Sequence, residues 1–182
     1  MRTGDYMKVL LVRPKPHKNS LGLTDLMTCE PLELEYVYTV IKNIGHEAEI
    51  ADMILEKRSL KKIIMEYQPD VVMFTAYLTH VNVIKGYSDI VKEVKQNIVT
   101  AVGGVHSEVI PTDFNHPNID YVLGINGMEN VEILLNALDR GEKPIFKHDK
   151  INKDYILPKP DRQSTAKYRK KYDYAYHVPC AL

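Results

Sequence analysis

The chain has 182 residues, enough for one domain with a terminal segment but not for two full domains. Hydrophobic residues make up 45% and charged residues 26% of it, which is typical of a globular protein and excludes a disordered or collagen-like chain. The 24 basic and 24 acidic residues cancel, so no overall field favours nucleic acid or an anionic membrane surface as a partner.

The two cysteines, Cys29 and Cys180, lie far apart and form no CxxC pattern, which excludes a disulfide framework and a zinc knuckle. No apolar stretch approaches the roughly 20 residues needed to span a bilayer. The segment from Met1 to Tyr6 contains an acid and a glycine and does not resemble a signal peptide. We therefore expect a soluble, cytoplasmic protein with no membrane partner.

Strand-like and helical patterns alternate along the chain. Short apolar runs predict five strands, at residues 8–12, 47–54, 70–76, 98–102 and 119–123. Apolar positions at helical spacing predict helices from Leu32 to a Gly45 C-cap, from a Ser59 N-cap to about Tyr67, and over residues 83–94, 108–114 and 128–138. Residues 13–31 hold two prolines and several polar turn formers, which favours a long functional loop.

Five strand-then-helix units predict an α/β fold, a doubly wound (Rossmann or flavodoxin-like) five-stranded parallel sheet with helices on both faces. Ligands of such sheets bind beyond the carboxyl ends of the strands, so the loops after Val12, Thr75, Val102 and Leu123 are the candidates. The pattern stops near residue 150, and residues 159–182 carry six Lys or Arg against two Asp. We expect residues 1–150 to form the domain and residues 151–182 a linker or tail.

The usual motifs for nucleotide binding and hydrolysis are missing. The first loop has neither G-x-G-x-x-G nor a Walker sequence, and its prolines remove backbone donors that a phosphate cradle needs. The chain contains no G-x-S-x-G and no H-E-x-x-H. His17, His80 and His106 fall in loops at the predicted functional edge, where each is either a ligand or donor or an ordinary hydrogen-bonded loop histidine.

Two features at that edge share a physical meaning. Thr75, Ala76 and Tyr77 end the third strand with a hydroxyl, a small residue and a bulky one. Gly103 and Gly104 follow the fourth strand and leave backbone without side chains, so a flat ligand group can approach closely. On adjacent strands these residues would border one slot. The alternative is a strand-end polar residue beside a simple glycine turn.

Together these segments resemble the N-terminal cobalamin-binding domain of cobalamin-dependent radical S-adenosylmethionine enzymes of the methyltransferase type. The resemblance covers almost the whole chain and rests on the runs KVLLVRP, PLELEY, PDVVMFTAYLTHVNV, TAVGGVH, IDYV and KPDRQSTAKYRKKY. It implies that cobalamin is the cofactor, with its nucleotide tail in a slot lined by a Ser/Thr-x-Leu motif and a Gly-Gly pair. Thr75 and Tyr77 match the first motif, with Tyr in place of Leu, and Gly103 and Gly104 match the second.

The resemblance implies a set of cofactor-binding residues: Thr75, Ala76, Tyr77, Thr79, Gly103, Gly104, His106, Asn126 and Gly127. His106 corresponds to the histidine of a GGPH sequence in relatives, and Gly127 retains one glycine of their G-E-G-E. The first loop lacks the D-x-H-x-x-G whose histidine coordinates cobalt in other cobalamin domains, so His17 is only a weak candidate for a cobalt ligand. We therefore expect base-off cobalamin without a protein histidine ligand and with no other metal site.

The iron-sulfur motif C-x-x-x-C-x-x-C of the radical domain is missing from the chain. The resemblance thus implies a domain of a longer enzyme, in which a downstream radical domain holds the 4Fe-4S cluster and S-adenosylmethionine. In that chemistry a methyl group passes from methylcobalamin to a substrate radical, and we expect no catalysis by this chain alone. Two alternatives stay open: a cofactor-free regulatory or interaction module, and a corrinoid carrier protein.

Overall fold

A computed structural model describes residues 6–16, 28–148 and 150–172 of the chain. Five strands form one parallel sheet in the order β2-β1-β3-β4-β5: β1 (Lys8–Arg13), β2 (Glu47–Asp52), β3 (Val71–Thr75), β4 (Val99–Gly103) and β5 (Tyr121–Val122). All four strand pairs are parallel. The predicted doubly wound five-stranded sheet is confirmed.

The helices cover both faces of this sheet, as predicted. They are α1 (Leu32–Asn43), α2 (Leu60–Tyr67), α3 (Val81–Val94), α4 (Val105–Val109) and α5 (Gly127–Arg140). The described residues also form three 3₁₀ turns, Leu78–His80, Pro111–Phe114 and Ala166–Lys171. In this part of the chain, no helix combines the length and the apolar character needed to cross a lipid bilayer.

Alternate residues of each strand supply two separate cores. Val9 and Leu11 of β1 face α1 and α5, whereas Leu10 and Val12 face α2 and α3, and all four are fully buried. A strand buried on both faces needs apolar side chains at every position, because successive side chains point to opposite sides. This requirement explains the continuous apolar runs from which the strands were predicted.

The strand order places a topological switch point beside β1. The chain runs outwards from β1 to the edge strand β2, then returns past β1 to β3 and continues to β5. The helices α1 and α3, which follow β1 and β3, therefore pack on opposite faces of the sheet, and the carboxyl edge opens between these two strands. Arg13 ends β1 and Thr75 ends β3 at this opening.

Several predicted boundaries differ from the structure. The second strand ends at Asp52, not at Ile54, because the Asp52 carboxylate accepts a hydrogen bond from the Ile54 N–H at 3.1 Å and starts a turn. The helix after the fourth strand begins at Val105, directly after Gly104, and not at Glu108. By contrast, the Ser59 hydroxyl accepts from the Lys62 N–H at 3.3 Å, as expected of an N-cap.

A buried amide holds the far edge of the sheet. Asn130 of α5 is fully buried, and its Nδ2 donates to the carbonyls of Leu123 at 2.7 Å and Ile125 at 2.8 Å. Its Oδ1 accepts from the backbone N–H of Lys147 at 2.9 Å. One side chain thus joins the end of β5, the loop before α5 and the segment after it.

Candidate functional site

An apolar slot of about 220 Å³ opens at the carboxyl edge of the sheet, between the strands and the pair α1 and α5. Strand residues form one wall and the two helices form the other. The apolar residues around it are Leu11, Leu34, Val37, Met73, Phe74, Val105, Leu123, Met128 and Val131. A largely apolar, concave site with few polar groups is the usual form of a site for a cofactor or small molecule.

Thr75 and Gly103 lie opposite each other at the mouth of this slot. They are register partners at the ends of β3 and β4, and Thr75 is only 4% exposed. A Cβ added to Gly103 would lie 3.5 Å from the Cδ1 of Leu123, which is an ordinary contact distance. The backbone at Gly103 therefore does not require glycine, and the missing side chain leaves space in the slot. Thr75 thus offers a hydroxyl beside a wall that lacks a side chain.

Gly104 has a different role from Gly103. Its φ of +99° lies in a region that favours glycine, and a Cβ there would lie 2.8 Å from the backbone nitrogen of Ala76. Ala76 is fixed on both sides, since its N–H donates to the Gly103 carbonyl at 2.8 Å and its carbonyl accepts from His106 N–H at 3.1 Å. Any side chain at Gly104 therefore strains the loop. A substitution there would change the stability of the fold as well as the slot, so its effect on ligand binding could not be measured separately.

Glu33 of α1 also lines the slot and was not identified from the sequence. Burial raises the pKa of its carboxyl, while the nearby Arg13 guanidinium and the Thr75 hydroxyl partly oppose that shift. The slot thus contains an acid beside its one buried hydroxyl. A single glutamate near the start of an amphipathic helix is an ordinary exposed residue by pattern, so the sequence carries no signal for it.

The structure brings five of the nine predicted cofactor-binding residues to the slot: Thr75, Tyr77, Gly103, Gly104 and Gly127. Tyr77 stands at its mouth with 45% of its surface exposed. Ala76 is fully buried behind the strand end, and Thr79 is exposed in the turn Leu78–His80. Neither of these two residues lines the slot.

Asn126 lines a second cavity, of about 330 Å³, which shares Glu108, Gly127 and Met128 with the slot. Its side chain is already engaged with the segment that follows α5. The Nδ2 donates to the Lys150 carbonyl at 2.7 Å, and the Oδ1 accepts from the Asn152 N–H at 2.8 Å. Asn126 therefore shapes the loop before α5, and Gly127 is the residue that reaches the slot.

The candidate histidines do not line the slot. His106 is buried, its Nε2 lies 2.7 Å from the Asp113 carboxylate, and its ring meets the Phe114 ring edge-on at 5.7 Å. His80 is also buried, and burial lowers the pKa of its imidazole. His17 lies outside the described residues, and within the described ranges no group of three or more His, Cys, Asp or Glu is placed to hold a metal ion.

The fold and site define a doubly wound domain with an apolar slot at its carboxyl edge. A family model described as B12 binding domain matches residues 20–135, and the chain belongs to this family of cobalamin-binding domains. The family that the sequence predicted is thereby confirmed, and the alternative of a cofactor-free module is not favoured.

Several known proteins are similar to this chain. An uncharacterized methyltransferase of Pyrococcus horikoshii is 29% identical over 142 residues, which are 75% of this chain and 30% of the relative. The radical S-adenosylmethionine methyltransferase TsrM of Kitasatospora setae, solved with cobalamin and a 4Fe-4S cluster, aligns with a TM-score of 0.62 at 18% identity over 76% of this chain and 26% of its own. The chain spans less than a third of the length of these relatives.

The cobalamin-dependent radical enzyme OxsB, solved with aqua-cobalamin and S-adenosylmethionine, has the same fold. It aligns with a TM-score of 0.67 at 15% identity, over 91% of this chain and 26% of its own. The residues of the slot suit cobalamin's nucleotide tail, which carries a flat aromatic base. The walls of the slot are apolar, Gly103 leaves room beside Leu123, and Thr75 supplies a hydroxyl at the mouth.

Proposed function

We propose that this domain holds cobalamin base-off, with the nucleotide tail in the slot and without a protein histidine on the cobalt. The observation that carries the proposal is the apolar slot of about 220 Å³ beneath Thr75 and Gly103. Thr75 would bind a polar atom of the tail, and Gly103 and Gly127 would let the base pass between sheet and helices. His80 and His106 are buried away from the slot, which supports a cobalt whose lower face carries no imidazole ligand from the protein.

Bound cobalamin would supply a cobalt centre that can carry a methyl group. The residues of this chain would hold and shield the bound cofactor. Leu11, Met73 and Val131 would exclude water from the nucleotide tail, and Tyr77 would flank it at the mouth of the slot. The slot opens at the carboxyl edge, so the corrin would lie over that edge.

The whole protein, we propose, is a methyltransferase in which a radical domain with a 4Fe-4S cluster and S-adenosylmethionine faces this edge. The methyltransferases among its relatives support this, as does the radical chemistry named for TsrM and OxsB. In this scheme residues 151–182 connect the domain to its partner domain. A cytoplasmic location is part of the proposal and agrees with the free thiol of Cys29.

The test is a titration of the purified chain with hydroxocobalamin, followed by visible absorption. We expect saturable binding and a base-off spectrum that His17→Ala leaves unchanged. A histidine-ligated spectrum that His17→Ala abolishes would instead support a corrinoid carrier. Absence of binding by the unmodified chain would contradict the proposal for the isolated domain.

Gly103→Val tests the slot itself. The added side chain points at Leu123 and takes up part of the cavity, so we expect cobalamin affinity to fall by at least about tenfold. Two controls separate binding from folding. The first control is Gly103→Ala, which adds only one methyl group at an ordinary contact distance and should change cobalamin affinity less than Gly103→Val does. The second control is cobinamide, which lacks the nucleotide tail and should bind equally to Gly103→Val and to the parent. Unchanged cobalamin affinity in Gly103→Val would refute the placement of the tail.

A further inference from the structure

The segment of residues 158–172, here called the docked segment, packs against the domain through hydroxyl groups that donate to acids. Thr165 is 1% exposed, and its hydroxyl donates to Glu35 of α1 at 2.6 Å. Tyr168 is 3% exposed, and its hydroxyl donates to Glu56 at 3.0 Å. Buried polar pairs of this kind fix a segment in one place, because a misplaced segment leaves its acceptors unsatisfied.

The last residue of the docked segment contacts an acid at the switch point. The Tyr172 hydroxyl donates to Oδ2 of Asp52 at 3.2 Å, and Asp52 is completely buried. The same oxygen accepts from Nη1 of Arg13 at 3.3 Å. Arg13 and Asp52 are register partners at the ends of β1 and β2, so the sheet itself places the two side chains next to each other.

Arg13 also contacts the chain just before α1. Its Nη1 donates to the Cys29 carbonyl at 2.5 Å, and its side chain is only 14% exposed. This bond joins the end of β1 to the chain just before α1. β1 and α1 contribute Leu11 and Glu33 to the slot, so Arg13 bridges two parts of the chain that lead into the slot wall.

One nitrogen of Arg13 is thus shared between Asp52 and Cys29, and one oxygen of Asp52 is shared between Arg13 and Tyr172. The other oxygen of Asp52 stays bonded to the Ile54 N–H, so the loss of a donor falls on Oδ2, whose other donor can then move closer. Loss of the Tyr172 hydroxyl would therefore pull the guanidinium towards Asp52 and away from the Cys29 carbonyl. The effect would be felt at the start of α1, which the docked segment also contacts directly through the pairs Arg162–Glu30 and Thr165–Glu35. Neither tyrosine substitution removes these two pairs.

We propose that Tyr172 is a positioning residue for the slot: through Asp52 and Arg13, docking of residues 158–172 and binding of a ligand in the slot stabilise each other. This inference rests on the proposed function for the identity of the ligand, cobalamin. The coupling is reciprocal, because a ligand that favours the docked state must be bound more tightly by it. The docked segment is then part of the cofactor site although it contributes no residue to the slot lining.

The experiment compares Tyr172→Phe with Tyr168→Phe in the full chain. Both variants remove one buried hydroxyl from the same segment, and only Tyr172 reaches Arg13 through its acceptor. We expect Tyr172→Phe to weaken hydroxocobalamin binding by about fivefold or more and to speed amide hydrogen exchange at residues 28–34. Tyr168→Phe should change neither. Equal exchange at residues 28–34 in the two variants would overturn the coupling.

The exchange measurement needs no cofactor, so it separates this inference from the proposed function. If the parent chain binds no cobalamin, the proposed function fails, and exchange at residues 28–34 still decides whether the coupling exists. Arg13→Lys is the second variant, in case Tyr172→Phe does not fold. It keeps the charge and loses the guanidinium fork, and we expect faster exchange at residues 165–172. Unchanged exchange there would also overturn the coupling.

Discussion

Glu35 makes the stability of this domain depend on pH in an unusual direction. It lies in α1 and is fully buried, and its Oε1 accepts the Thr165 hydroxyl at 2.6 Å. Within the described part of the chain, its Oε2 has no hydrogen-bond partner. Burial, followed by the like charge of Glu30, raises the pKa of Glu35 from its ordinary 4.5 to about 7.

The folded state therefore holds this proton more tightly than the unfolded state does. Stability from Glu35 is fully present below about pH 4.5 and is lost as the pH rises through about 7. A shift of this size corresponds to about 3 kcal/mol of unfolding free energy, since each pKa unit is worth about 1.4 kcal/mol. Glu35→Gln replaces the neutral acid with a neutral amide of the same shape and should remove the dependence.

The assay is urea unfolding at pH 5 and pH 8. We expect Glu35→Gln to match the parent within about 1 kcal/mol at pH 5 and to exceed its unfolding free energy by up to about 3 kcal/mol at pH 8. Glu142→Gln is the control, since its exposed side chain loses a charge without burial. Parallel pH dependence in the parent and in Glu35→Gln would refute the assignment of a buried proton to Glu35.

Two further substitutions test the framework around the slot by urea unfolding at pH 7. Gly104→Ala should lower the unfolding free energy by about 2 to 5 kcal/mol, because it combines a positive φ with a Cβ 2.8 Å from the Ala76 nitrogen. A decrease below about 1 kcal/mol would contradict the strain at this position. Asn130→Ala should lower the unfolding free energy by about 3 kcal/mol, because it leaves buried carbonyls and the Lys147 N–H unsatisfied. Asn130→Asp should lower it at least as much, because its buried carboxylate would face the two carbonyl oxygens that now accept from the amide.

The sequence is informative about the sheet because local rules determine the strands. Continuous apolar runs identify β1, β3 and β4, and the carboxyl-edge rule then places Thr75 beside Gly103. β5 is harder to locate, since it contains only Tyr121 and Val122 and makes few ladder contacts. Its predicted length of five residues was wrong for that reason.

The helix wall of the slot could not be predicted in the same way. Whether Glu33 or Met128 faces the slot depends on how α1 and α5 rotate as they pack, and a single sequence does not specify that rotation. His106 illustrates a related limit. Because α4 begins at Val105, directly after Gly104, the His106 side chain turns towards Asp113 and away from the slot.

The contacts of Asn130 have a consequence for local opening. β5 pairs with β4 through two residue pairs, and the amide of Asn130 ties the same edge to α5 and to the chain at Lys147. The end of β5 is therefore not free to open alone. The loop at Leu123, the start of α5 and the chain at Lys147 should instead come apart as one cooperative unit in native-state hydrogen exchange. A molecule held between Leu123 and Gly127 would slow the opening of the whole unit.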